Sequence, residues 1–155
     1  ITIPFQMSSV EFFNMVKDHL TENGVMVVNM NMRGSGEGNI NQYLADTIAS
    51  VFGTVYTADV KGSTNRELFA SNQEDMLDTL KNNAGNLANA DLQNMMIAVA
   101  DTSTQYDGGD YIMTDDKAPV ELLGMQVIDQ VIKEEVAYYK GIYEEQGLDG
   151  LLQSL

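Results

Sequence analysis

Ile3-Pro4-Phe5-Gln6-Met7-Ser8-Ser9-Val10-Glu11-Phe12-Phe13, followed one helix length later by Asn23-Gly24-Val25-Met26-Val27-Val28-Asn29-Met30, is the stretch whose reading decides the fold. Ser8 or Ser9 can cap a helix, because a short hydroxyl accepts from the free backbone N–H groups of a first turn. Val10, Phe13, Val16 and Leu20 then recur at helical spacing, and Asn23-Gly24 ends the run. The apolar residues 25 to 32 follow at once and read as a strand. Unbroken Val25-Met26-Val27-Val28 suits burial on both faces, as in a parallel sheet covered by helices. The pair is an α-to-β unit of an open α/β sheet.

Outward from that unit the pattern continues in order. Arg33-Gly34-Ser35-Gly36-Glu37-Gly38-Asn39 leads into a helix with Ile40, Leu44, Ile48 and Val51 on one face, ending near Phe52-Gly53. Val55 to Val60 and Arg66 to Ser71 are short β-prone runs around a Gly62 turn, which predicts a hairpin at or near the sheet edge. From Gln73 the period turns helical, first through Met76, Leu77 and Leu80, then through Leu87, Leu92, Met95, Met96 and Val99. Gln105 to Asp110 reads as a loop. Pro119 fits a first helical turn, a longer helix runs from about Met125 to Glu145, and Gly147 to Leu152 reads as a short closing helix. The expected division is an α/β part over 1–72 and a helical extension over 73–155, together one structural domain.

With 155 residues, 44% of them hydrophobic, the chain is long enough to bury a core. Eight Lys+Arg against 23 Asp+Glu give a formal charge of −15, a field that repels nucleic acid and anionic membrane and admits cationic small molecules. There is no cysteine and a single histidine, which removes thiolate sites and leaves little for zinc. No apolar run approaches the roughly 20 residues of a membrane-spanning helix, and the reading is a soluble, cytoplasmic chain.

Three segments bear on chemistry. Gly34-x-Gly36-x-Gly38 follows a strand and opens a helix, the position where glycines let backbone N–H groups approach a phosphate. Glu37 in its middle and the polar end of the preceding strand favour a surface loop instead. Thr114-Asp115-Asp116-Lys117-Ala118-Pro119-Val120-Glu121 places carboxylates where an amine can be held by charge-assisted hydrogen bonds. The same residues suit helix capping, with Asp115 or Asp116 before a first turn that holds Pro119 and Glu121. In Thr64-Asn65-Arg66-Glu67-Leu68-Phe69-Ala70, Asn65 suits the turn and Phe69 the core. His19 suits a dipole partner late in its helix, Tyr138, Tyr139 and Tyr143 suit packing or an interface, and Met30 and Met32 are placed to line a pocket.

The Ile-Pro-Phe lead-in, the Asn-x-x-Leu-Phe-Ala strand and the Thr-Asp-Asp-x-Ala-Pro-Val-Glu segment, in that order, resemble the spermidine synthase-like (aminopropyltransferase) family, most closely bacterial forms that include fusions to membrane transporters. Lys117 stands where that family often has an aromatic residue. The resemblance implies the C-terminal half of a Rossmann-like class I methyltransferase-type sheet, with parallel strands plus a terminal antiparallel hairpin strand, then a helical C-terminal region. It implies aminopropyl transfer from decarboxylated S-adenosylmethionine to a polyamine. In the family the nucleoside loop and the catalytic aspartate precede the Ile-Pro-Phe stretch, so this chain is expected to hold half of a site, with no catalytic or cofactor residue of its own. Asp115, Asp116 and Glu121 are the candidate polyamine contacts. The expected partners are a missing N-terminal half or another chain completing the sheet, a homo-oligomer, and a polyamine. A non-catalytic binding or assembly module of the same ancestry is the alternative.

Overall fold

A computed structural model describes residues 4–31 and 36–154. A single 3-10 turn at Phe5–Met7 precedes α1 (Val10–His19), β1 (Val25–Asn31), α2 (Ile40–Val51), β2 (Thr54–Asp59), β3 (Asn65–Ser71), α3 (Met76–Gly85), α4 (Ala90–Thr102), β4 (Thr104–Gln105) and α5 (Val120–Ser154). The local signals account for the helix starts. Ser9 caps α1 by accepting from the Phe12 N–H, Asn39 caps α2 by accepting from Asn41 and Gln42, and Asn89 caps α4 by accepting from Leu92.

The four strands form one sheet in the order β1-β3-β2-β4. β3 pairs antiparallel with β1, from Val25↔Ser71 to Asn31↔Asn65, and with β2, from Thr54↔Ser71 to Asp59↔Arg66. The expected hairpin is present, but β3 lies inside the sheet rather than at its edge. No two paired strands among the described residues run parallel. β1 and β2 point the same way only across the intervening β3.

Burial on both faces of β1 is not observed. Met26 and Val28 are half-buried and Met30 is buried, whereas Val25 and Val27 are exposed. The inward set packs under α1 and α2 in a core of Phe13, Leu44, Ile48, Phe52, Val55, Leu68, Ala70 and Met113. α1 packs on α2, and α3 on α4, which reaches β2. Nothing among the described residues covers the outward face of β1 at Val25 and Val27. The expected end of this strand at Met32 lies outside the described residues.

α5 begins one residue later than the proline would allow, since Pro119 supplies its carbonyl to the Leu123 N–H and stands before the helix. The expected long and short helices are joined by a kink at Gly147, whose φ of 68° an L side chain rarely adopts. A second small core of Ile40, Val120, Leu123 and Val127 attaches the first turns of α5 to α2.

Candidate functional site

A cleft of about 310 Å³ opens where the carboxyl ends of β1 and β2 meet the N-terminus of α2, lined by Met30, Asn39, Asn41, Gln42, Ala45, Thr57, Arg66 and Tyr106. Its position follows from the connections. α2 starts above the strand ends, so amide side chains at its N-terminus form one wall. Gln42 Oε1 accepts from the Gly38 N–H at 2.8 Å, and Asn39 Nδ2 donates to the Gly36 carbonyl at 2.6 Å. Gly36 and Gly38 have φ of 105° and 72°, so the loop is held by glycine conformations and helix-end amides. Of the Gly34-x-Gly36-x-Gly38 motif, Gly34 lies outside the described residues.

On the opposite wall Arg66 Nε donates to Asp59 Oδ1 at 2.6 Å across the β2–β3 pair. That hydrogen bond holds the Asp59 carboxyl below its usual range and raises the guanidinium further. Both side chains are about half exposed, at 44% and 57%, so solvent screens the pair and its effect on stability is small.

Tyr106 belongs to a strap, residues 106–113, that crosses α2; the sequence reading covers it only to Asp110, as loop. The Tyr106 N–H donates to the Val55 carbonyl at 2.9 Å, and its hydroxyl donates to Asp46 Oδ1. The Tyr111 N–H donates to Asp46 Oδ2 at 3.1 Å, and the Met113 N–H to Thr47 Oγ1 at 2.9 Å. Asp46 is 1% exposed. Burial, with the Asp46 carboxylate added, pushes the Tyr106 phenol far above its ordinary range. Tyr111 stacks near Tyr43 with ring centroids 4.9 Å apart and donates its hydroxyl to Glu37 Oε1 at 3.0 Å, tying the strap to the glycine loop. The Tyr111 phenol is raised, chiefly by that bond to Glu37.

The sequence-nominated carboxylates lie beyond the strap. Thr114 and Lys117 exchange backbone hydrogen bonds at 3.1 and 2.9 Å, which turns Asp115 and Asp116 outward. Asp115 is not the N-cap of a helix: it accepts from the hydroxyl of Ser9, the residue that caps α1, while its own N–H donates to Glu11 Oε2 at 3.0 Å. Asp116 is exposed in the turn, and Glu121 is exposed in the first turn of α5. Asp115 is therefore spent on α1, and the cleft is lined by other residues.

Sequence reasoning missed Asp46, Thr47 and Tyr106. The available signal was an Asp-Thr pair inside an otherwise apolar helix face, which demands buried partners. Among the described residues every buried side-chain nitrogen and oxygen has a partner, and no group of three or more His, Cys, Asp or Glu side chains could hold a metal ion. No described helix is long and apolar enough to cross a membrane. Chemically, the cleft offers amide, hydroxyl and guanidinium groups for holding a polar ligand, beside the apolar Met30 and Ala45.

Over its whole length the chain is similar to "Probable polyamine aminopropyl transferase" of Bifidobacterium longum (strain NCC 2705), at 48% identity across an alignment of 172 residues. The chain spans 39% of that protein's length. No family model matches the chain, and no solved structure does.

Proposed function

This chain is a relative of the spermidine synthase-like proteins along its full length, and from that premise we propose that it forms part of a polyamine aminopropyl transferase whose nucleoside-binding loop and catalytic aspartate lie in the remaining part of the protein. The 48% identity over the whole chain is the observation that carries the reading. In such a reaction an amine nitrogen attacks the carbon beside the sulfonium of decarboxylated S-adenosylmethionine. The C–S bond breaks, methylthioadenosine leaves, and the ammonium proton passes to a carboxylate. The protein's contribution is orientation and negative potential.

Two features support a partial site. Among the described residues β1 has one strand neighbour, and Val25 and Val27 on its outward face are exposed, so a sheet continued beyond β1 and a covering helix would bury surface that is otherwise wetted. The cleft opens at the carboxyl ends of the two like-directed strands, the end at which open α/β sheets bind ligands. The finer assignment, to the second half of a class I methyltransferase-type sheet in the cytoplasm, belongs to the same proposal. For the polyamine, the nominated Asp115, Asp116 and Glu121 are all exposed carboxylates, and Asp115 also accepts from the Ser9 hydroxyl.

Calorimetry with decarboxylated S-adenosylmethionine, methylthioadenosine and putrescine tests the division. Nucleoside binding and turnover are expected only when the 155 residues are joined to the rest of a protein of the relative's length. Tight nucleoside binding by the 155 residues alone would overturn it, and a complete protein that binds but does not turn over would favour the non-catalytic module.

A further inference from the structure

The donors and acceptors of the cleft indicate the chemistry of its ligand. The chain carries 23 Asp+Glu and two arginines, yet the described residues that line the cleft include Arg66 and no carboxylate. A bare polycation requires the reverse. Arg66 gives only its Nε hydrogen to Asp59, so among the described residues the edge that carries its two terminal nitrogens has no partner. That edge is planar and donates in parallel, the fork that fits a carboxylate. Gln42 commits its Oε1 to the Gly38 N–H, which leaves the Nε2 hydrogens of this lining residue as donors.

The other groups divide the same way. The Tyr106 hydroxyl gives its one hydrogen to Asp46 Oδ1, so toward a ligand its oxygen can only accept, with a buried carboxylate behind it. An acceptor polarised by a carboxylate suits an ammonium. The N–H groups of Asn41 and Gln42 at the head of α2 are taken by Asn39 Oδ1, so the helix end adds no donors for a phosphate. One guanidinium already bonded to Asp59 matches a monoanion better than a phosphate dianion. We propose that the cleft holds the α-ammonium and carboxylate of a small amino acid, the carboxylate on Arg66 and Gln42 and the ammonium on Tyr106. Resting on the aminopropyl-transfer reading above, this makes the acceptor a diamino acid in place of a plain diamine. Its far amine forms the new N–C bond as the C–S bond breaks, and its proton leaves to a carboxylate as in that reaction. The volume of about 310 Å³ is at the small end of ligand sites, as an acid of this size requires.

L-ornithine is putrescine with one added carboxylate, so the two isolate the group in question. Amide chemical shifts of the isotope-labelled 155-residue chain, titrated with each, read binding at the cleft. Expected are shifts at Gln42, Thr57, Arg66 and Tyr106 with ornithine, and an affinity for putrescine at least about tenfold weaker. Gln42→Glu keeps the acceptor for the Gly38 N–H and replaces the donor by a carboxylate oxygen; it is expected to weaken ornithine at least about tenfold and to strengthen putrescine. Asp59→Asn removes the charge opposing the carboxylate and is expected to tighten ornithine several-fold. A diamine site predicts the opposite preference between the two ligands, and circular dichroism checks that each variant stays folded. Equal affinity for the two ligands would overturn the inference, as would an absence of shifts with ornithine or an unchanged affinity in Gln42→Glu. In a complete protein of the relative's length, transfer to putrescine with none to ornithine would also overturn it. Ornithine bound with transfer to neither amine would refute the proposed reaction and leave the carboxylate site standing.

Discussion

Replacing Asp46 by alanine removes one carboxylate and leaves two groups of the strap without their acceptor. The Tyr106 hydroxyl and the Tyr111 N–H both end on this side chain, which is 1% exposed. A hydrogen bond to a charged group contributes about 1.5–3 kcal/mol, and an orphaned buried donor adds its desolvation cost. The Tyr106 ring is only half-buried, so its hydroxyl can recover part of the loss by turning to water. The expected net cost is about 3 kcal/mol, which at this chain length lowers the melting temperature by roughly 6–12 °C. Urea and thermal unfolding followed by circular dichroism would measure it, with Tyr106→Phe and the double variant completing a cycle. The coupling energy between the two positions is expected at about 1–2 kcal/mol. A loss below about 1 kcal/mol for Asp46→Ala, or a cycle that closes with no coupling, would refute the reasoning that Asp46 fastens the strap.

Three further outcomes are expected. Because the folded Tyr106 phenol ionises only above its ordinary range, its contribution to stability is complete below about pH 10 and is lost as pH rises beyond that value; the unfolding midpoint should fall above pH 10, less so in Tyr106→Phe. Gly109→Ala should cost about 1–3 kcal/mol in urea unfolding, since a Cβ there would sit 2.7 Å from Asp46 Oδ2, which the strap bonds hold in place. Ser9→Ala should cost about 1–2 kcal/mol, because the buried hydroxyl both accepts from the Phe12 N–H at 3.2 Å and donates to Asp115; a change under about 0.3 kcal/mol would mean that water replaces both bonds.

Helical periodicity and capping chemistry are local, and they were legible. Ser9, the buried face of α2 and the β2–β3 hairpin all lie where the residue pattern puts them. The pairing partners of β1 were not legible, because apolar residues in a row do not reveal whether both faces are covered; Val25 and Val27 are apolar and exposed. The strap escaped notice for a related reason. Its glycines and aspartates are loop-formers, and only the distant Asp46 and Thr47 give residues 106–113 a fixed path. Asp115 shows the same limit: the sequence suggests a cap on the helix that follows it, whereas its carboxylate accepts from Ser9, 106 residues away in the chain.

The place of β3 between β1 and β2 orders the assembly in time. The hairpin closes over a short turn and can form first, whereas β1 must be captured by β3 from across α2. Met30 stands on β1, Thr57 on β2 and Arg66 on β3, so the cleft has walls only after that capture. A chain arrested at the hairpin would hold the β2–β3 pairing and, of the cleft's lining, only Thr57 and Arg66, which makes ligand protection a late signal of folding and hairpin formation an early one.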